Sequence, residues 1–191
     1  MPTLRDLLEK PDTTLADLQR HLDALDGKTR IAECRQLGRR QQIRLFDLAR
    51  DGAPVTPEDM VASARDGEPV PWYGKNSLPA FTHFEKHFRR HEDKIVGFNS
   101  NPFHVTMVTG PGYYVCTPDA SRPKEIVIDY TQLPASAPAG WPKVKRNTSG
   151  ASIFVYGHMK DYCRRVSDTV VIGAAERKGK PIGAYFVLCR G

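Results

Sequence analysis

In the stretch PIGAYFVLC, residues 181–189, apolar side chains occupy both parities: Ile182, Ala184, Phe186 and Leu188 on one, Tyr185, Val187 and Cys189 on the other. Residues 168–176 repeat the pattern, with Val170 and Ile172 opposite Val171 and Ala175. A strand that is apolar on both faces has to be covered on both faces. Antiparallel sheets achieve this by carrying helices on one side and enclosing a core or a ligand cavity on the other. That requirement excludes a sheet with one solvated face.

The helices are supplied first. Residues 1–66 read as a helical subdomain. In DTTLADLQRHLDALDG, Thr13 or Thr14 can cap, and Leu15, Leu18, Leu22 and Leu25 recur at helical spacing before Gly27 ends the pattern. A longer helix is expected from about Thr29 to Arg50, followed by Gly52 as a stop. Thr56-Pro57-Glu58-Asp59 then starts a short third helix: a cap, a first-turn proline, and acids at the positive helix end. Residues 67–191 read as an antiparallel β-rich domain. Its segment 67–80 is expected as an irregular connection, pinned or lid-like through Trp72, Tyr73 and Leu78. Helices are expected near 80–92, from Phe81, Phe84 and Phe88, and near 157–167, from Met159, Tyr162, Cys163 and Val166. The expected strands are 94–99, 104–109, 112–117, 125–130, 152–156, 168–176 and 181–189, with turns at Gly110-Pro111-Gly112 and Arg177-Lys178-Gly179-Lys180. Residues 131–150, with three prolines and Trp141, form a long crossing loop. The fold class is therefore α+β: N-terminal helices, then a curved, mostly antiparallel sheet, a partial barrel, with one short interrupting helix.

Composition narrows the function classes. The chain of 191 residues is 40% hydrophobic and 26% charged, which excludes a disordered or fibrous chain. No apolar run reaches the ~20 residues that span a bilayer, and MPTLRDLLEK lacks the apolar core of a signal peptide. A cytoplasmic protein is the resulting expectation. Cys34, Cys116, Cys163 and Cys189 form no C-x-x-C pair and sit among apolar neighbours, so they read as reduced core residues. The net charge of +6 is uneven: residues 1–66 carry 11 Lys/Arg against 12 Asp/Glu, and residues 67–191 carry 17 against 10. A basic C-terminal region attracts phosphates, nucleic acid or an anionic surface.

Three function classes follow. The first is binding of a small hydrophobic or amphipathic ligand in an apolar pocket of the curved sheet. Trp72, Tyr73, Tyr113, Tyr130, Tyr156 and Tyr185 would supply aromatic lining, and Arg165 or His158 would anchor a polar head group. The second is a nucleic-acid-binding or interaction module. It would use Lys86, Arg89 and Arg90 on the helix at 80–92 together with Lys143, Lys145 and Arg146 in the long loop. The third is a small enzyme of unspecified reaction, with His158 and Asp161 as i, i+3 neighbours on a helix forming an oriented base. His83, His87 and His91, four apart, lack the glutamate that a zincin helix places after its first histidine, and Lys86, Arg89 and Arg90 oppose a cation. No metal and no cofactor are expected. The row Thr109-Gly110-Pro111-Gly112 precedes a strand, whereas a phosphate cradle opens a helix, so it reads as a turn.

Overall fold

The computed structural model describes residues 2–62, 64–65, 67–79, 82–100 and 109–191. Four short helices come first: α1 (Leu4–Glu9), α2 (Leu15–Asp23), α3 (Gly27–Arg35) and α4 (Arg39–Leu48). Threonine and aspartate set their starts. Thr3 and Thr14 each build a capping box with the aspartate three residues on, and Asp26 caps α3. The helix expected over 29–50 is two helices. Gly38 interrupts the run and serves as the N-cap of α4, and Gly27, expected as a stop, opens α3. Thr56 caps a 3-10 turn over Pro57–Val61 with a further capping box.

Eight strands follow: β1 (Val70–Asn76), β2 (His83–His91), β3 (Lys94–Ser100), β4 (Tyr114–Pro118), β5 (Ile126–Asp129), β6 (Met159–Ser167), β7 (Val170–Arg177) and β8 (Lys180–Cys189). Each pairs antiparallel with its sequence neighbour, and β8 returns to pair with β1, Tyr73 opposite Cys189 and Asn76 opposite Phe186. The sheet is thus a closed barrel, not a partial one, and closure removes the free edges an open sheet would leave. The N-terminal helices lie against the outside of the barrel. Their Leu4, Leu8, Leu18, Leu22, Leu37 and Leu45 share a core with the outward side chains Val166, Val170, Ile172, Val187 and Cys189. The two-faced strands are covered as their pattern demands.

Three segments differ from the sequence reading. Residues 80–92 contain β2, residues 157–167 contain β6, and the supposed connection at 67–80 contains β1. The physical reason is shared. Phe84 and Phe88 are four apart, as are Tyr162 and Val166, and four residues return a side chain to the same face of a strand as well as of a helix. The inward residues decide: Lys86, between Phe84 and Phe88, and Asp161, just before Tyr162, point into the barrel, so the alternation is real but not apolar. Conversely, the strand expected at 152–156 is a short helix, α5 (Ser152–Val155). The strand expected at 104–109 falls almost wholly outside the described residues.

Strand directions define two ends. The closed end carries the β2–β3 and β6–β7 turns and is stoppered by the 3-10 turn. Val55, Met60 and Val61 join the interior core there, and the Trp72 indole donates to the Met60 carbonyl at 2.9 Å. The opposite end carries the β1–β2 loop, the β7–β8 hairpin and α5, while the 131–150 loop leaves from it and runs along the outer wall as far as His91, where Ser136 meets it at 3.0 Å. Phe84 and Phe186 fill the interior only because glycines face them. A Cβ on Gly74 would lie 2.4 Å from the Phe84 ring, and one on Gly173 would lie 2.2 Å from the Phe186 ring.

Candidate functional site

Inward residues alternate along every strand, so the interior is a stack of layers. Toward the closed end it is solid. Trp72 packs edge-on against Phe88 at 6.4 Å, and Phe88 lies 5.3 Å from Tyr114, ring to ring. Toward the other end it opens into a cavity of about 330 Å³. Eight-stranded barrels have room for filled side chains or for one small ligand, and here the two outcomes occupy two ends of one barrel.

The deepest part of the cavity is polar. Lys86, 2% exposed, projects from β2 to Asn99 Oδ1 at 3.0 Å, to the Tyr130 hydroxyl, and to Asp161 Oδ2 at 3.4 Å. Asn99 is fixed in turn, because its amide nitrogen donates to the Gly112 carbonyl at 3.1 Å. Four rings surround the ammonium: Tyr130 at 4.8 Å, Tyr114 at 5.0 Å, Phe186 at 5.5 Å and Phe84 at 5.6 Å from Nζ to centroid. Ring faces at such distances favour a cation. Burial works the other way: it pulls the Lys86 amine below its ordinary value, opposed by Asp161, and pushes the Asp161 carboxyl up, opposed by Lys86. The Tyr114 and Tyr130 hydroxyls are pushed well up by burial and stay protonated.

Apolar walls rise from this floor. Phe84, Phe186, Ala175, Ala184 and Met159 line the sides, and Tyr156 stacks on Tyr130 at 5.4 Å with rings 16° apart. The mouth is apolar as well. Leu78, Phe154 and Ile182 line it at 43%, 78% and 43% exposure, and with Ile153 they are the large hydrophobic side chains most exposed among the described residues. Arg177 also lines the mouth, where its guanidinium donates to the carbonyls of Phe154 at 2.9 Å and Val155 at 3.3 Å. Ser152 donates to the Thr109 carbonyl, so α5 is held across the opening from both sides.

Of the sequence candidates, the cavity brings together Tyr130, Tyr156 and Asp161. Trp72 lies in the solid half. Tyr73 and Tyr185 face outward under the helices, beside Arg35 and Phe46 respectively. Tyr113 is also outside, beneath the crossing loop, with Trp141 6.2 Å away and its hydroxyl on the Pro142 carbonyl at 2.6 Å. Arg165 sits at the closed end, paired with Asp59 at 2.6 Å and Asp168 at 3.1 Å. The His158–Asp161 pair dissolves once the segment is a strand: His158 is an exposed residue with φ of 58° at the start of β6, and Asp161 points inward.

The basic helix dissolves too. Lys86 is inside the barrel; Arg89 donates to the Ala139 carbonyl at 3.2 Å, and Arg90 pairs with Glu58 at 2.5 Å. His83, His87 and His91 alternate outward along β2, with four-residue steps of about 13 Å. Lys143, Lys145 and Arg146 are exposed on the crossing loop. Lys86, as a buried anchor, and Asn99, Phe84 and Phe186 are the site residues that sequence reasoning missed or misassigned. Their only signal is a lysine at an inward parity between two phenylalanines.

No protein-family model, curated protein or solved structure matches this chain. Among the described residues no helix is long and apolar enough to cross a membrane.

Proposed function

We propose that the barrel binds a small amphipathic molecule in the cavity above Lys86. The observation that carries this reading is the contrast between an unfilled interior of about 330 Å³ and the solid interior directly beneath it. Cavities lined by apolar and aromatic side chains with a few convergent polar groups are the usual form of a small-molecule site. Here the polar groups are Lys86, Asn99, Tyr130 and Asp161, held by one another before any ligand arrives. Preorganisation of this kind spares the ligand the cost of ordering its own anchor. The exposed apolar mouth at Leu78, Phe154 and Ile182 supports the same reading, since it offers an entering chain contact before it is fully inside.

The test uses N-phenyl-1-naphthylamine, an uncharged probe that fluoresces in apolar surroundings. The expected result is saturable one-to-one binding to the wild type and its loss in Ala184→Phe, a variant that fills the cavity. Unsaturable fluorescence, or equal binding in both proteins, overturns the reading.

A further inference from the structure

The charges lining the cavity do not cancel. Among the described lining residues Lys86 and Arg177 are cationic and Asp161 is the single carboxylate. Arg177 donates to the backbone carbonyls of Phe154 and Val155 and to the Met159 sulfur, with no acid among its partners in the described residues. Lys86 spends its three donors on Asn99, Tyr130 and Asp161, and the Asp161 contact, at 3.4 Å, is the long one that an incoming carboxylate would replace. The other acids near the cavity strands are used elsewhere: Glu176 pairs with Arg122 at 2.7 Å and Asp129 with Lys160 at 3.1 Å, both on the outer face. The polarity is also ordered in depth. The polar cluster is at the floor, and the most exposed lining residues, Phe154, Leu78 and Ile182, are apolar. An amphiphile that matches this gradient enters with its polar end first and leaves its chain toward the mouth.

The geometry points to a ligand class for this site: an amphiphile with one negative charge, such as a medium-chain carboxylate, bound head-inward on Lys86 with its chain between Phe84, Phe186 and Tyr156. This rests on the cavity reading above and deepens it. A carboxylate at the floor accepts from Lys86 and the Tyr130 hydroxyl, and it brings the lining charge to neutrality. Burying a charge is tolerable only when it is paired and hydrogen-bonded, and the floor offers both. The second positive charge, Arg177 at the mouth, draws the anion in without competing for the floor.

The experiment is isothermal titration of the wild-type chain with three ligands of equal chain length: decanoate, methyl decanoate and decyltrimethylammonium. Decanoate is expected to bind about tenfold or more tightly than the ester, with the cation weakest, because a charge-assisted hydrogen bond is lost in one and repelled in the other. Lys86→Met should erase the preference for decanoate over the ester. Asp161→Asn, which keeps the shape and removes the competing charge, should strengthen decanoate relative to the ester. These two variants read the same interaction from opposite sides, so a folding failure in one leaves the other decisive. Tail-labelled 11-(dansylamino)undecanoate should bind as decanoate does if the head is inward. Equal affinity for decanoate and the ester, or preference for the cation, overturns the charge assignment while the cavity reading stands. Binding of none of the three overturns both.

Discussion

The barrel wall separates two cores of different character. Outside, between α1–α4 and the outward faces of β6, β7 and β8, the core is aliphatic, with Leu4, Leu18, Leu22, Leu37, Leu45, Val170, Ile172 and Val187 all fully buried. Inside, the core is aromatic, contains a lysine and an aspartate, and ends in a cavity. Aliphatic side chains interdigitate without directional demands and fill their space. Rings backed by glycines and a buried ion pair demand particular geometry and leave part of theirs open. The difference teaches that stability and binding are assigned to opposite sides of one sheet. A change on the outer side should cost stability and spare the site, and a change inside should do the reverse unless it strands a charge.

The largest expected effect is the stranding of a charge. Asp161→Leu leaves Lys86 buried without its counter-ion and should lower the unfolding free energy by about 3–5 kcal/mol, read from urea denaturation. Adding Lys86→Met to it should recover most of the loss, because replacing both partners by apolar groups is often close to neutral. If the double variant is as unstable as the single, the pair is not the unit assumed here. Next comes the outer core. Leu22→Ala or Leu45→Ala should cost about 2–5 kcal/mol by cavity formation and leave ligand affinity unchanged. Loss of binding in a variant that remains folded would break the division between the two sides.

A third effect is set by pH. Tyr114, Tyr130, Cys116 and Cys163 have their ionisation pushed up by burial from ordinary values of 10.0 and 9.0. Above those ordinary values the unfolded chain releases protons that the folded chain keeps. Stability is therefore full at neutral pH and falls as pH rises through 9 and 10, by up to about 1.4 kcal/mol per pH unit for each group. Lys86, pulled below 10.5, acts with the opposite sign, whereas Cys34, Tyr113 and Tyr162 are also pushed up and add to the loss. Urea midpoints at pH 7.5 and 10.5 under reducing conditions should differ accordingly, and equal midpoints would show that the interior is wet. The smallest effect is at the mouth. Phe154→Ser should change stability by less than about 0.5 kcal/mol, as exposed positions do, and weaken binding of long-chain ligands more than of short ones.

The sheet's two-sided covering was legible because Phe186 and Leu188 face one way while Val187 and Cys189 face the other. Five strands followed from their β-rich runs, and the β7–β8 hairpin from the turn residues Arg177-Lys178-Gly179-Lys180 between two of them. The site was legible only in part. Tyr130 and Tyr156 are expected as aromatic lining and line the cavity, but Asp161 is expected as half of a base with His158, and Lys86 as a nucleic-acid contact on a helix. A charged side chain at an inward position breaks the apolar alternation that marks a strand, and its partner lies 75 residues away on β6, so neither strand announces itself alone. Functional polar groups placed in a core thus hide the element that carries them. Tyr113 and Tyr185, equally aromatic in sequence, fall on the outer parity, and one residue of register decides which side of the wall a ring serves.

The most direct measurement of whether the space above Lys86 is a binding site is a fluorescence titration of 11-(dansylamino)undecanoate into wild type and Ala184→Phe, with the thermal midpoint recorded for each. Saturable one-to-one binding by the wild type, and none by a variant that melts within a few degrees of it, is the expected result. Equal binding by both proteins would mean that the ligand sits elsewhere and that the barrel interior is structural throughout.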